Sequence, residues 1–348
     1  MKQKHLKILI EMKHGLGDCV CMLPAIKAVR EKYPNAYIAM IVNSKANEEI
    51  FRHGNVKIDR YHYFSLKNYS KISTLNTLAE LFLTRFDIGI LATMTPATKG
   101  KMLFKLLGIK ECYGEQYDNL QFLDLDNSKH FVDRNLDVVH KLTGDVVDRQ
   151  PHLFAFPSDG DNFTNIFSRL QGKNIAVNIG GADKNYYKGN YVFTRSWNKN
   201  SMHELTKSLS NIKKYNVFLI GGKLEEELLI DYEDVLVKNN VFNFVNQTTI
   251  GETIYILSQS DCVIGVDTGM QHVADALGKP TVSIFGPTNP STHGAYSSQA
   301  RFVQCRPLLS CQYCFTTNNY YTCPNRRCLN TITSENVLQV VEESLQRR

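Results

Sequence analysis

Short apolar runs alternate along the chain with segments of helical periodicity. Residues 6–12 form one apolar run, and the segment after it places Leu23, Ile26 and Val29 on one face of a helix. A glycine-containing loop joins this run to the helix, and residues 36–42 form the next apolar run. The order strand, loop, helix, strand predicts that a parallel α/β sheet opens the chain.

The same order of elements recurs further along. We predict strands at residues 87–94, 175–179 and 217–220 and helices at residues 102–107, 202–212 and 225–237. Polar residues and prolines at residues 145–161 separate the two halves. We therefore predict an α/β protein of two Rossmann-like domains, residues 1–155 and 165–333. A C-terminal helix at residues 334–348 could pack back on the first domain.

The most informative stretch is CVIGVDTGMQHVADALGKPTVSIFGPTNP, residues 262–290. Its pattern predicts a buried strand, a helix and a second strand, with Asp267, Thr268 and Gly269 where the first strand ends and the helix begins. Ligands bind at that edge of open α/β sheets. The helix start suits a phosphate, Asp267 suits sugar hydroxyls, and His272 lies on the first helical turn. The alternative is an ordinary turn with Asp267 as N-cap.

Composition limits the class of protein. The 348 residues are 43% apolar and 21% charged, with a net charge of +6, as in a soluble two-domain protein with a mildly basic surface. That charge favours an acidic partner without selecting one. No apolar run approaches the ~20 residues of a membrane-spanning helix, and the N-terminal run is too short for a secretory signal. We therefore expect a cytoplasmic location with reduced cysteines.

The loop from His14 to Asp18 contains the sequence Gly-Leu-Gly. A dinucleotide fingerprint needs a third glycine where Val20 stands and an acidic residue where Asn43 stands. The sequence therefore excludes an NAD site of that type at this loop.

The run VDTGMQHVADALGKPTVSIFGPTNP resembles the C-terminal signature of the family 9 glycosyltransferases, which include the lipopolysaccharide heptosyltransferases. The resemblance implies a GT-B fold, in which two Rossmann-like domains face one another across a cleft. It also implies that a nucleotide-sugar donor is held mostly by the C-terminal domain.

The resemblance assigns roles to residues in both domains. Family members carry an Asp at the first loop as general base, and Asp18 matches it; the alternative is a plain helix cap. Arg195, two residues before Trp197, matches a cation that pairs with the donor diphosphate. The alternatives are a surface arginine, or Lys184 or Lys188 in its place.

Three further positions complete the predicted donor site. Gly180 opens the small-polar loop of the family, and Glu225 matches a glutamate that holds ribose hydroxyls. The alternative for Glu225 is stabilisation of a helix dipole. Thr248 follows a predicted strand and is a candidate neighbour of the nucleotide base.

The acceptor site is predicted after the strand at residues 87–94. Thr95, Lys99 and Lys101 are suited to an anionic acceptor, such as a glycolipid, a glycan or a protein. The alternative for the two lysines is a solvated helix start.

Four cysteines lie close together near the C-terminus. Cys311, Cys314, Cys323 and Cys328 fall in a turn-rich finger at residues 305–328, a spacing that favours structural Zn or Fe over disulfides or free thiols. The finger resembles that of the autotransporter heptosyltransferases. Nearby arginines and aromatic residues also fit a nucleic-acid ribbon, but that would leave two α/β domains without a role, so we expect no nucleic acid.

The prediction is an inverting glycosyltransferase that needs no cofactor for catalysis. It moves a sugar from a nucleotide-diphosphate sugar to a hydroxyl of a glycan, of the lipopolysaccharide core or of a protein. Heptose and ADP are implied by the family's best-known members. We also expect peripheral contact with the inner face of the membrane. The alternatives are a nucleotide-sugar epimerase on the same fold and an inactive metal-finger binding protein.

Overall fold

The structure is a computed structural model that describes residues 5–64, 70–115, 128–181, 184–187, 190–315 and 317–346. The chain divides into two compact units, Met1–Leu153 and Phe154–Arg348. The division lies inside the polar, proline-containing segment of the sequence. Each unit is built on its own parallel sheet.

The first unit has a five-stranded sheet in the order β3-β2-β1-β4-β5, in which all neighbouring strands are parallel. Its elements are β1 Lys7–Met12, α1 Leu16–Lys32, β2 Tyr37–Val42, α2 Lys45–His53, β3 Arg60–Tyr63, α3 Lys71–Thr84, β4 Ile88–Leu91, α4 Ala97–Leu106, β5 Glu111–Tyr113 and α5 Phe131–Thr143. Chain order reverses at β1, between β2 and β4, so the loops after β1 and β4 meet at the carboxyl edge where ligands bind in such sheets.

The second unit has a six-stranded parallel sheet in the order β10-β9-β6-β11-β12-β13. Its elements are a 3-10 helix Pro157–Gly160, α6 Thr164–Phe167, β6 Lys173–Asn178, β7 Lys184–Tyr187, β8 Asn190–Phe193, α7 Lys199–Asn211, β9 Tyr215–Ile220, a 3-10 helix Lys223–Tyr232, α8 Glu233–Leu236, β10 Val241–Asn243, α9 Ile250–Ser258, β11 Cys262–Val266, α10 Gly269–Ala276, β12 Thr281–Ile284, α11 Pro290–His293, β13 Ala300–Val303, α12 Asn318–Thr322, α13 Arg327–Asn330 and α14 Ser334–Gln346. The order reverses at β6, between β9 and β11.

Two segments of the second unit differ from their predicted form. The polar segment after β6 contains an antiparallel hairpin of β7 and β8. The predicted helix at 225–237 is instead a 3-10 helix, Lys223–Tyr232, followed by one short α-helix, Glu233–Leu236.

The C-terminal segment belongs to the core of the second unit. Helix α14 contacts α7 and the strands β11, β12 and β13, and its Val337 and Val341 are fully buried in the main core cluster. Cys305 and Leu329 join the same cluster. The cysteine-rich segment is thus partly core, and not a separate finger.

Candidate functional site

A buried carboxylate lies at the carboxyl end of β11. Asp267 accepts a hydrogen bond from Thr288 Oγ1 at 2.7 Å and pairs with Arg195 Nη1 at 3.1 Å, both to Oδ2. Buried charges of this kind need such partners to offset the loss of solvation. The three side chains come from the loops after β8, β11 and β12. The Asp267 carboxylate therefore connects three loops at one edge of the sheet.

The helix start beside Asp267 is held by a different residue. Thr268 is the N-cap of α10 by its backbone, and its Oγ1 accepts a hydrogen bond from Asn178 Nδ2 at 2.9 Å. Asp267 as N-cap is therefore wrong. Because Asn178 ends β6 and Thr268 follows β11, this bond joins the two strands at the reversal of chain order. Gly269 opens α10, and the half-buried His272 lies on its first turn.

Arg195 is held in place through its neighbour Thr194. Thr194 Oγ1 donates to the Tyr320 hydroxyl at 2.7 Å, and the Thr194 carbonyl accepts from Arg326 Nη1 at 2.9 Å. Two residues beyond Arg195, Trp197 Nε1 donates to the Ile332 carbonyl at 3.1 Å. The cysteine-rich segment and the chain after it thus brace both sides of Arg195. Nothing in the local sequence indicates these contacts.

The same segment braces the loop that carries Thr288. Gln312 Nε2 donates to the Gly286 carbonyl at 2.7 Å, and a side chain at Gly286 would meet Leu329 at 2.5 Å. Phe315 packs edge-on against His293, with ring centroids 4.9 Å apart. The loops on both sides of Asp267 therefore rest on residues 312–329.

His293 lies at the candidate site, although no pattern in the sequence indicates it. It is on α11, and its charge interacts with Asp267, Arg195 and His272. Burial lowers the pKa of His293, the Asp267 carboxylate opposes this, and Arg195 adds to it. The imidazole is therefore held neutral at neutral pH beside the ion pair.

Glu225 is buried and fixed by backbone contacts. Its Oε2 accepts from the Gly222 N–H at 2.8 Å. A side chain at Gly180 would lie 2.2 Å from Glu225 Cγ, so glycine there leaves room for the glutamate. Gly180 and Glu225 are thus neighbours at the ends of β6 and β9. Thr248, half-buried, bonds the Thr253 hydroxyl at 2.9 Å before α9.

In the first unit, Asp18 is the third residue of α1. Its Oδ2 accepts from the Gly15 N–H at 2.9 Å, which caps the helix from the N3 position and fixes the carboxylate just beyond β1. Asn43 and Asn47 donate to the carbonyls of Lys13 and His14, at 2.7 and 3.0 Å, and hold the same loop from β2 and α2.

A polar network links the ends of β1 and β4. Thr95 Oγ1 donates to Glu11 Oε2 at 2.7 Å and contacts His14 Nε2 at 2.7 Å. Glu11 is buried and Thr95 half-buried. Lys99 is exposed and Lys101 half-buried on α4. The structure therefore joins Thr95 to Glu11 and His14, neither of which the sequence predicts as an acceptor-site residue.

The sequence offered two alternatives to Arg195 as the cation that pairs with the donor diphosphate. Lys188 lies outside the described residues, as does the side chain of Lys184. Arg195 is the candidate whose contacts are described.

The four cysteines do not form a metal centre in the described structure. Cys311, Cys314, Cys323 and Cys328 are free thiols. Burial, followed by the neighbouring thiols, raises the pKa of Cys328 to about 11, and the same causes raise that of Cys314. The thiols are therefore near one another, but no group of three or more His, Cys, Asp or Glu among the described residues is arranged to hold a metal ion. The predicted Zn or Fe site is not supported by this geometry.

Two Rossmann-like units, each with polar side chains at the carboxyl ends of its central strands, define an α/β protein of the GT-B type, as predicted. Residues 84–323 match the model of glycosyltransferase family 9 (heptosyltransferase). The chain belongs to glycosyltransferase family 9.

Known proteins similar to this chain agree with that assignment. Lipooligosaccharide heptosyltransferase 2 of Campylobacter jejuni is 24% identical, over 97% of this chain and 99% of the relative. The solved structure of a family 9 glycosyl transferase from Veillonella parvula superposes with a TM-score of 0.80 at 19% identity, covering 100% of this chain and 99% of that one.

Two structures from E. coli share the fold at lower identity. ADP-heptose lipopolysaccharide heptosyltransferase II gives a TM-score of 0.74 at 18% identity, covering 98% and 99% of the two chains. The iron-containing dodecameric glycosyltransferase TibC gives a TM-score of 0.57 at 14% identity, covering 100% of this chain and 80% of that one. Among the described residues of this chain, no helix is long and apolar enough to cross a membrane.

Proposed function

We propose that this protein transfers heptose from ADP-heptose to a sugar hydroxyl of the lipopolysaccharide core, with inversion at the anomeric carbon. The observation that carries the proposal is the ion pair of Arg195 and Asp267 with Thr288 at the carboxyl end of β11. The donor and the acceptor are those of similar proteins, among them an ADP-heptose lipopolysaccharide heptosyltransferase.

Arg195 holds the donor diphosphate in this proposal. A guanidinium presents paired donors that match phosphate oxygens, and negative charge on the diphosphate grows as the glycosidic bond breaks. The half-buried Arg195 is fixed by Asp267 and by the braced Thr194, so little reorganisation is needed when that charge develops. The free N–H groups at the start of α10 add to the same stabilisation.

The donor sugars are held by carboxylates. Glu225, buried beside Gly180, accepts hydrogen bonds from ribose hydroxyls, and Asp267 accepts from hydroxyls of the donor. Thr268, Gly269 and His272 line the helix start, and Thr248 borders the adenine.

Asp18 acts as the general base. The acceptor hydroxyl must lose its proton as its oxygen attacks the anomeric carbon, and a fixed carboxylate within hydrogen-bond reach takes it. The bond between the anomeric carbon and the diphosphate oxygen breaks in the same displacement, so the configuration inverts. Thr95, Lys99 and Lys101 bind an anionic acceptor, and none of these steps uses a cofactor.

The test is turnover of ADP-heptose with purified protein. Release of ADP that depends on a heptose-deficient lipopolysaccharide core, with a product of inverted anomeric configuration by NMR, is expected. ADP release that is equally fast without acceptor, or appearance of an epimerised sugar nucleotide, would contradict transfer. A glycan or protein acceptor in place of the core would change the acceptor class and leave the donor chemistry intact.

A further inference from the structure

Three side chains at the carboxyl edge of the first sheet form a hydrogen-bonded chain. Thr95 Oγ1, from the loop after β4, lies between Glu11 Oε2 and His14 Nε2, at 2.7 Å from each. Glu11 lies near the end of β1 and is 3% exposed, whereas His14 and Thr95 are half-buried. The chain therefore connects a buried carboxylate to a histidine ring that is only partly covered by protein.

The direction of these hydrogen bonds follows from the atoms that carry protons. A carboxylate oxygen only accepts, so the single proton of the Thr95 hydroxyl is donated to Glu11. Lys13 Nζ lies 3.5 Å from the other oxygen of Glu11, as suits an ionised carboxylate. The Thr95 oxygen must then accept from His14, which places a proton on Nε2 of the imidazole.

This direction fixes the chemical character of the other nitrogen of His14. A neutral imidazole carries one ring proton, so a proton on Nε2 leaves a lone pair on Nδ1. Among the described residues, Nδ1 has no hydrogen-bond partner. Asn47 Nδ2 donates to the His14 carbonyl at 3.0 Å and holds the backbone beside the ring. The ring therefore presents a hydrogen-bond acceptor from a braced position.

His14 lies in the same loop as Asp18. Asp18 Oδ2 accepts from the N–H of Gly15, the residue next to His14, at 2.9 Å. Both side chains follow β1 at the reversal of chain order between β2 and β4, where ligands bind in such sheets. A sugar bound there offers hydroxyls that can donate to the Nδ1 lone pair, whereas an ionised phosphate oxygen has no proton to donate.

We propose that His14 Nδ1 accepts a hydrogen bond from a sugar hydroxyl of the acceptor, beside the hydroxyl that Asp18 deprotonates. Thr95 and Glu11 are positioning residues that hold His14 in the tautomer with a proton on Nε2. The contact selects an uncharged, hydrogen-donating group of the acceptor at this position. It rests on the proposed transferase function, because the acceptor sugar is part of that proposal.

The tautomer of His14 can be observed without any substrate. Long-range proton–nitrogen correlation spectra of protein with isotope-labelled histidine distinguish a ring nitrogen that carries a proton from one that does not. At mildly alkaline pH we expect the His14 signals, identified by their loss in His14→Gln, to show the proton on Nε2. Thr95→Val is expected to weaken that preference, and Thr95→Ser to keep it. A proton on Nδ1 in the wild-type protein would overturn the proposal.

Two isosteric variants test which nitrogen the acceptor needs. A glutamine amide reaches the position of Nε2, and an asparagine amide reaches that of Nδ1. His14→Gln keeps a donor for Thr95 but lacks the Nδ1 lone pair, so we expect kcat/KM for the acceptor to fall about tenfold. His14→Asn places an amide oxygen near the Nδ1 position and is expected to lose less. A role confined to holding Thr95 predicts the opposite order of the two variants.

Binding of ADP separates this contact from general damage to the protein. Calorimetric affinity for ADP and thermal unfolding are expected to be unchanged in both His14 variants, because the ring is half-buried in a loop of the first unit. His140→Gln alters an exposed histidine on α5 of the same unit and is the matched control. It should keep wild-type kinetics.

The outcomes distinguish this contact from the transferase function on which it rests. Unchanged acceptor kinetics in His14→Gln, with transfer by wild-type protein intact, would overturn the contact alone. Absence of ADP-heptose turnover by wild-type protein would overturn the proposed function and the contact together.

Discussion

Arg195 Nη1 lies 3.1 Å from Asp267 Oδ2, although 72 residues separate the two in the chain. The pair joins the loop after β8 to the end of β11, and Thr288 adds the loop after β12. A carboxylate held in this way is positioned before any ligand arrives. The first predictions concern these two residues.

Asp267→Asn is expected to weaken binding of ADP-heptose by roughly 10- to 100-fold, since charge-assisted hydrogen bonds contribute about 1.5–3 kcal/mol. Calorimetric titration measures the affinity. The matched control is Asp261→Asn, just before the same strand, where the carboxylate bonds Lys173 and the Asn174 N–H. If the two variants bind the donor equally well, Asp267 does not hold it.

Arg195→Lys is expected to lower kcat more than donor affinity. Lysine keeps a charge for Asp267 but loses the paired geometry that the diphosphate needs as its charge grows. The loss in kcat is expected to be about 10- to 100-fold, measured by steady-state release of ADP. A loss confined to KM, with unchanged kcat, would show that Arg195 binds the ground state only.

Asp18→Asn is expected to lower transfer by about 10²- to 10⁴-fold. The amide oxygen can still accept from the Gly15 N–H, so thermal unfolding should change little. Donor affinity should be unchanged, and the rate should lose its fall at acidic pH. Glu31→Gln, an exposed residue near the other end of α1, is the control. Near-normal transfer by Asp18→Asn would show that Asp18 is only a helix cap. The general base would then be sought at Glu11 and His14.

Tyr320→Phe tests the bracing of Arg195. The variant leaves the buried Thr194 hydroxyl without the 2.7 Å contact to the Tyr320 oxygen, which costs about 1–3 kcal/mol of unfolding free energy. We expect kcat to fall together with stability, because Arg195 follows Thr194 directly. Tyr313→Phe, whose hydroxyl contacts Gln304 at the surface, should affect neither. Loss of stability at unchanged kcat would make Tyr320 purely structural.

Burial of His293 is expected to make the free energy of unfolding depend on pH. Its folded pKa is lowered by burial, so the unfolded chain takes up the proton first as pH falls through 6.5. Relative to His293→Gln, wild-type protein should therefore lose unfolding free energy between pH 7.5 and pH 5.5. Each unit of depression is worth about 1.4 kcal/mol. Chemical denaturation at both values measures the difference, and an equal change in both proteins would contradict the prediction.

The sequence predicts the central part of the second unit closely. The strand, helix and second strand predicted within residues 262–290 are present as β11, α10 and β12. These elements are uninterrupted apolar runs or are ended by glycine and proline, so local physics decides them. Membership of family 9, which the sequence predicts from one contiguous motif, is confirmed by the match of residues 84–323 to the family model.

The features that the sequence did not predict depend on contacts between residues that are far apart in the chain. Tyr320 and Arg326 reach Thr194 across 126 and 132 residues, and no local pattern encodes such a pairing. The cysteines illustrate the converse. Their spacing resembles that of a metal finger, yet among the described residues no group of three or more His, Cys, Asp or Glu is arranged to hold a metal ion.

The bracing of Thr194 and Gly286 by residues 312–329 has a consequence for synthesis. A ribosome makes β6 to β12 well before it reaches Tyr320 and Arg326, and domains fold as they emerge. Until those residues are exposed, the loops around Asp267 lack the contacts that hold them. Nascent or truncated chains that end before Tyr320 lack these contacts and also lack the core helix α14. They should therefore fail to retain a nucleotide sugar, so that donor capture is confined to completed molecules.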